Sequence, residues 1–270
     1  MKTHSRILIQ NCVLDILILI IQLFVQMFYL LDKDGNTVMI FPNGIMLNFV
    51  NENFNQFISY IVAIFGLYLV NLNLNGLCVQ FIYRYLVLNR NLEINFLRYL
   101  FMLSFALFVT LLSMLNTTLF LGPYSFGGIK YFDDFNKTLP FVQCKIESIN
   151  IFSILLSALI EIFAYLIIII CGTKMVRYVN LNTNFDGNLK RLNKLLTKVL
   201  IILAVVPFIN QAGGLFLVFF MTTTNNTTNI FRILSHISFH LVPVFNPIIC
   251  ILTNTPYRNA LFNRVQITPQ

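Results

Sequence analysis

Asn53 to Tyr83 is a run of 31 residues without one charged side chain, and Tyr99 to Ile129 is a second of the same length. At 1.5 Å per helical residue, either is longer than the roughly 30 Å hydrocarbon core of a bilayer. Four more stretches share this character. Residues 7–31 carry Asp15 as their only charge, Ser148 to Thr173 carries only Glu161, and Val199 to Phe231 and Ile233 to Tyr257 carry none. The opening run follows Lys2 and Arg6, as a signal peptide would. It exceeds the about 7–15 apolar residues of a signal-peptide core and has no small-residue cleavage site, so it reads as a retained helix. The sequence therefore predicts an all-α, polytopic transmembrane bundle in one domain, 1–270. Its six spans fall at about 8–31, 57–82, 99–121, 149–172, 199–220 and 233–255.

Composition excludes several alternatives. Only 10% of residues are charged and 57% are hydrophobic, against roughly 25% charged in soluble domains. The net charge of +8 invites a nucleic-acid partner, but no basic patch is interleaved with exposed aromatics as phosphate binding requires. Cys12, Cys78, Cys144, Cys171 and Cys250 have neither metal-ligand spacing nor a disulfide framework. No hydrolase elbow, phosphate loop or cofactor fingerprint occurs, so no catalytic residue, metal or cofactor is expected.

The connectors orient the chain. With the N-terminus in the cytoplasm, 13 of the 18 Lys and Arg fall on the inner side and five outside, the bias of the positive-inside rule. The sequons at Asn136, Asn225 and Asn226 then all lie outside, where glycosylation occurs. Residues 38–45 are apolar enough to lie at the interface or to extend a helix. A loop of about 25 residues after Leu121 holds Asp133, Asp134, Lys137 and Cys144. The inner tract 174–198 has bases recurring at Lys190, Lys194 and Lys198, beside Arg191. Spacing of i,i+4 puts them on one helical face. They either anchor the helix against anionic lipid or extend the fifth span as a basic helix offered to a cytosolic partner.

Polar residues inside the spans have two readings each. Asp15, Asn75 and Asn246 lie at similar depth, about 13 to 16 Å from the inner surface at 1.5 Å per residue. They point inward either as packing glue or as a network that rearranges, with Pro247 kinking the helix beside Asn246. Glu161, near the middle of its span, marks a ligand, ion or helix-pairing role. His236 and His240 share one face of the last span. With Gln211 and nearby Phe residues they outline a mostly apolar, outward-opening pocket for a small ligand. No HExxH or converging Cys supports a metal there.

These motifs resemble a known family. Phe81-Ile82-Tyr83-Arg84-Tyr85 is similar to the arginine motif that closes the third helix of seven-helix G-protein-coupled receptors. Asn246-Pro247-Ile248-Ile249-Cys250 resembles the NPxxY motif of their last helix, with Cys in the place of Tyr. Leu14-Asp15, the LNKLLTKVLIILAVVPFINQ stretch and the terminal PYRNAL resemble the nematode serpentine chemoreceptors, most closely class H. The resemblance implies a rhodopsin-like architecture with six of seven helices present, the first being absent. It implies that Arg84, Lys190, Arg191, Lys194 and Lys198 engage a heterotrimeric G protein. It also implies a small environmental ligand and the ciliary membrane of a sensory neuron. The family's disulfide between the third helix and the second outer loop is not expected, because Cys144 has no counterpart near 53–60. A membrane transporter and a truncated, non-signalling membrane protein are the competing readings. The two halves show no matching repeat of the kind transporters use.

Overall fold

The computed structural model describes residues 2–24, 26–31, 37–43, 45, 56–132, 136–144, 148–181, 187–220 and 226–253. Six helices follow the apolar runs: α1 Lys2–Phe24, α2 Gln56–Asn89, α3 Phe96–Leu121, α4 Ser148–Leu181, α5 Gly187–Phe220 and α6 Asn226–Thr253. Within them, Tyr60–Asn89, Phe96–Phe120, Ile151–Leu181 and Asn193–Gly213 are long and apolar enough to cross a membrane; the apolar stretch of α1, Gln10–Phe24, is shorter. α2, α4 and α5 are each 34 residues long, about 51 Å at the helical rise, so they outrun a bilayer core. The basic 190–198 tract is accordingly helical and continuous with the fifth apolar run.

α2 is the hub. It packs against α1, α3, α4 and α5, most extensively against α4 and α3. Its Phe81 is fully buried in a cluster with Leu77, Cys78, Ala164, Ile168, Met175 and Leu203. Three helical glycines set the close approaches. A methyl group at Gly76 would lie 2.8 Å from Gln10 Nε2, one at Gly66 would lie 2.7 Å from Met27 Cε, and one at Gly172 would lie 3.3 Å from Phe81 Cε1. Small residues at helix crossings suit a medium in which lipid tails are as apolar as the partner helix, so that packing must come from contact. The outward surface is the reverse. Leu97, Phe101, Phe105 and Phe108 form a stripe along α3 that is 56–76% exposed, a contiguous apolar face that only lipid or another apolar surface covers.

The all-α expectation holds for the bundle and fails at one end of it. The α1–α2 and α3–α4 connectors are each a hairpin: β1 Gln26–Leu31 with β2 Thr37–Asn43, and β3 Ser125–Phe132 with β4 Lys137–Cys144. β2 and β4 pair from Thr37↔Cys144 to Ile40↔Phe141, giving one antiparallel sheet in the order β1-β2-β4-β3. The expected first span to residue 31 is therefore shorter: the helix stops at Phe24, and 26–31 pair with β2 instead. Pairing satisfies the backbone of these apolar segments as well as a helix would. Residues 38–41 become a buried strand rather than an interfacial segment, with Ile40 wholly buried. Met27, Met39, Phe41 and Val142 of the sheet pack on Tyr60 and Ile64 of α2, so the sheet caps the bundle through its hub helix.

Replacing Phe81 by Ala should lower stability by about 3–5 kcal/mol, the range for emptying a buried aromatic site. The same change at lipid-facing Phe101 should be nearly neutral. Thermal denaturation of the two variants in detergent checks the order.

Candidate functional site

In hydrocarbon a polar side chain must find its partner within the protein. Six side-chain pairs among the described residues link the six helices in a closed circuit. On α1, Asn11 and Asp15 are one turn apart on one face. Asn11 exchanges hydrogen bonds with Gln80 of α2, at 2.5 Å for Gln80 Nε2 to Asn11 Oδ1. Asn75 Nδ2 of α2 donates to Thr110 Oγ1 of α3 at 2.9 Å. Asn116 Nδ2 of α3 donates to Ser153 Oγ of α4 at 2.8 Å. The Tyr165 hydroxyl of α4 donates to Gln211 Oε1 of α5. Ser238 Oγ of α6 donates to Asn210 Oδ1 of α5 at 2.8 Å. Asn246 Nδ2 of α6 closes the circuit by donating to Asp15 Oδ1 at 2.8 Å. Each helix is thus tied to at least two others.

The structure brings two of the three residues of the expected polar layer into contact. Asp15 and Asn246, both buried, meet directly, whereas Asn75 turns to α3. Asn246 Oδ1 is buried with no hydrogen-bond partner among the described residues. It sits beside Pro247, whose missing N–H leaves a carbonyl free one turn back. Pro243 in α6 and Pro207 in α5 do the same. Between Pro207 and Pro243 lies a cavity of about 20 Å³, also lined by Ile18, Asn73, Gln211 and Val242. That is room for about one water.

The expected ligand pocket divides into two places. His236 and His240 meet edge-on (ring centroids 5.5 Å apart), and both pack against Phe28 of β1, at 5.9 and 5.8 Å. His240 Nε2 lies 3.3 Å from the Met27 carbonyl. This pair docks the sheet on α6. Gln211 is elsewhere, held by Tyr165 of α4, whose ring meets Phe208 edge-on at 4.9 Å. Glu161, half-buried, precedes Tyr165 by one turn.

At the end opposite the sheet, Arg84 is buried and its Nη1 has no hydrogen-bond partner among the described residues. Its neighbours are fixed: Tyr83 meets Tyr99 edge-on at 5.2 Å, and Lys174 Nζ lies 5.7 Å from the centre of the Tyr85 ring. Asn89 Nδ2 donates to the Lys174 carbonyl at 3.1 Å, joining α2 to α4. Arg90, Arg98, Lys174, Arg177, Lys194 and Lys198 are exposed at this same end. The side chains of Lys190 and Arg191 lie outside the described residues, as do Asn225, the side chain of Asn226 and the PYR triplet at 256–258. Asn136 is exposed at the tip of the β3–β4 hairpin with φ of 48°, its Oδ1 accepting from the Tyr131 hydroxyl.

Sequence reasoning missed Asn11, Gln80, Thr110, Asn116, Ser153 and Tyr165. The amides among them were visible as polar residues in apolar runs, which must be satisfied internally. The hydroxyls carried no such signal. Comparison with known families finds a match over residues 1–263 to the family model described as Serpentine type 7TM GPCR chemoreceptor Srd. The resemblance in sequence pointed to class H of that superfamily; the matched description is Srd. No curated protein matches the chain.

Removing either member of the Asp15–Asn246 pair should destabilise the bundle. A double-mutant cycle with Asp15→Ala and Asn246→Ala should give a coupling of about 0.6–1.7 kcal/mol, the range for hydrogen bonds between membrane helices. Additive losses in thermal stability would mean that the contact contributes nothing.

Proposed function

The chain belongs to the serpentine seven-transmembrane G-protein-coupled chemoreceptor family, a family of receptors rather than enzymes, and on that premise we propose that it is a chemosensory receptor for a small environmental molecule. Its six helices cross the membrane with the sheet outside and the N-terminus in the cytoplasm. Ligand binding rearranges the helices, and the rearrangement reaches a cytosolic heterotrimeric G protein. The membrane is that of a sensory-neuron cilium.

The observation that carries this reading is the bias of exposed basic side chains toward the end opposite the sheet, with Arg90, Arg98, Lys174, Arg177, Lys194 and Lys198 there against Lys130 and Lys137 on the sheet. A cytoplasmic face needs that charge by the positive-inside rule, and an acidic partner surface is attracted to it. Arg84, buried at this end, has unused hydrogen-bonding capacity at Nη1. It, with Lys190, Arg191, Lys194 and Lys198, forms the coupling surface. The Asp15–Asn246 contact, next to the proline breaks of α6, is the switch. Weakened helical bonding there lets two arrangements differ by little energy. Glu161, Gln211, His236 and His240 are the residues on the ligand side. Asn136, Asn225 and Asn226 carry glycans.

Ligand-dependent nucleotide exchange on a co-expressed G protein tests the proposal. Arg84→Ala and the paired change Lys194→Ala, Lys198→Ala should each lower exchange per surface molecule several-fold with delivery to the surface little changed. Equal exchange per molecule would remove the basic end from coupling. Asn136→Gln should abolish one glycosidase-sensitive increment in gel mobility. An unaltered pattern, with the hairpin tip reachable only after permeabilisation, would invert the orientation.

A further inference from the structure

The sheet has two outer edges, and they differ. β1 is bent by a bulge between Gln26 and Phe28, packs against α6, and has its Met27 carbonyl 3.3 Å from His240 Nε2. Bulges and covering elements protect a sheet edge from further pairing. β3 has no bulge. Its eight residues, Ser125–Phe132, pair with β4 in unbroken register and include no proline. Among the described residues, no backbone hydrogen bond reaches Phe126–Phe132 from outside the β3–β4 ladder. In such a strand every second residue points its N–H and C=O away from its single neighbour. Phe126, Ile129 and Tyr131 are each about half exposed along it. Lipid tails do not account for that exposure. α3 runs 26 residues, about 39 Å, before β3 begins, against a hydrocarbon core of roughly 30 Å.

The sequence of this edge is suited to pairing with itself. Two antiparallel copies related by a two-fold axis at Ile129 put Ile129 opposite the partner's Ile129, and Phe126 opposite the partner's Phe132. Lys130 then faces the partner's Gly128, and Tyr131 faces the partner's Gly127. β-Branched and aromatic residues make favourable cross-strand pairs, and the one charge meets no like charge. Phe126 and Phe132 both meet Phe141 of β4 edge-on, at 6.5 and 6.0 Å, so their pairing would carry that aromatic cluster across the seam. Nothing in its own sheet calls for glycine at 128. Its backbone is not left-handed, and a methyl group there would meet only the Phe141 ring, at 3.6 Å, an ordinary contact. Opposite Lys130 of a second copy, glycine leaves room for the lysine stem. Moving the axis to Gly128 sets Phe126 against the partner's Lys130 and forfeits the aromatic pair.

We propose that β3 is a dimerisation edge, at which two copies of this chain pair strand to strand about Ile129. The pairing joins two four-stranded sheets into one. It uses each β3 edge once and leaves the obstructed β1 edges outermost, so assembly closes at two. The inference does not rest on the receptor reading.

The test is copper-phenanthroline oxidation of the full-length chain in membranes, with light scattering of the purified chain in detergent for its mass. Directly opposite residues of an antiparallel pair have Cα atoms roughly 4.5–5.5 Å apart, within reach of a disulfide. Only a cysteine on the axis meets its own copy. Ile129→Cys should therefore give a reducible dimer band several-fold above that of the unsubstituted chain, and Gly128→Cys and Lys137→Cys should not. Co-expressed Phe126→Cys and Phe132→Cys chains should cross-link to each other, and neither to itself. Ile129→Lys sets two like charges opposite each other at an exposed site and should raise the dissociation constant of the dimer several-fold. A wild-type chain that is monomeric at micromolar concentration, equal cross-linking at Gly128 or Lys137, or a dimer unaffected by I129K would each overturn the proposal. So would a dimer that cross-links through Phe101→Cys on the exposed stripe of α3 and not through I129C. The wild-type mass decides even if a variant is not recovered folded.

Discussion

The bundle depends on one constraint: in hydrocarbon, a polar side chain without a protein partner has no water to fall back on. Apolar packing alone distinguishes poorly between helix surfaces when lipid is equally apolar. Specific arrangement therefore falls to the few groups whose satisfaction is directional. Asn11 with Gln80, Asn75 with Thr110, Asn116 with Ser153, Tyr165 with Gln211, Asn210 with Ser238 and Asp15 with Asn246 provide one such contact at each step around the bundle. Each bond is modest in energy. Together they fix the rotation of six helices, since turning any one would break two contacts. Glycines 76 and 172 leave room at the helix contacts for the Gln10 and Phe81 side chains.

The circuit is not uniform. Where it crosses α5 and α6 it runs past Pro207, Pro243 and Pro247, and there the small cavity opens and Asn246 keeps an unused acceptor. Where it crosses α2 and α4, the packing around Phe81 and Met175 is closed. The circuit thus joins a closely packed half to one that holds the prolines and the small cavity. That second half is where buried polar groups and broken helical hydrogen bonds coincide.

Much of this was legible in the sequence. Uncharged runs located all six helices, because length and absence of charge are sufficient signals in a membrane chain. Equal depth put Asp15, Asn75 and Asn246 in one layer but did not say which of them would meet. The direction in which Asn75 points was not legible, since depth says nothing about rotation, and its partner Thr110 sits in a run where a threonine carries little signal. The sheet was hidden for a different reason. Strands 26–31 and 37–43 are apolar without alternation, and such short runs look the same as the end of a helix. His236 and His240 were correctly placed on one face, but that face turned toward a strand the sequence had not disclosed.

The β2–β4 ladder has a kinetic side. Thr37 and Cys144 are register partners, so pairing them closes a loop of about 100 residues. Closing a loop of that length carries an entropic cost before any contact offsets it. α2 and α3 lie wholly inside it, so the ladder can zip only after both helices have been threaded and packed. Each hairpin can form early from neighbouring sequence; their junction cannot. During synthesis the β2–β4 seam is then a late event, and a chain whose middle helices are misplaced would leave it open, with two unpaired strand edges.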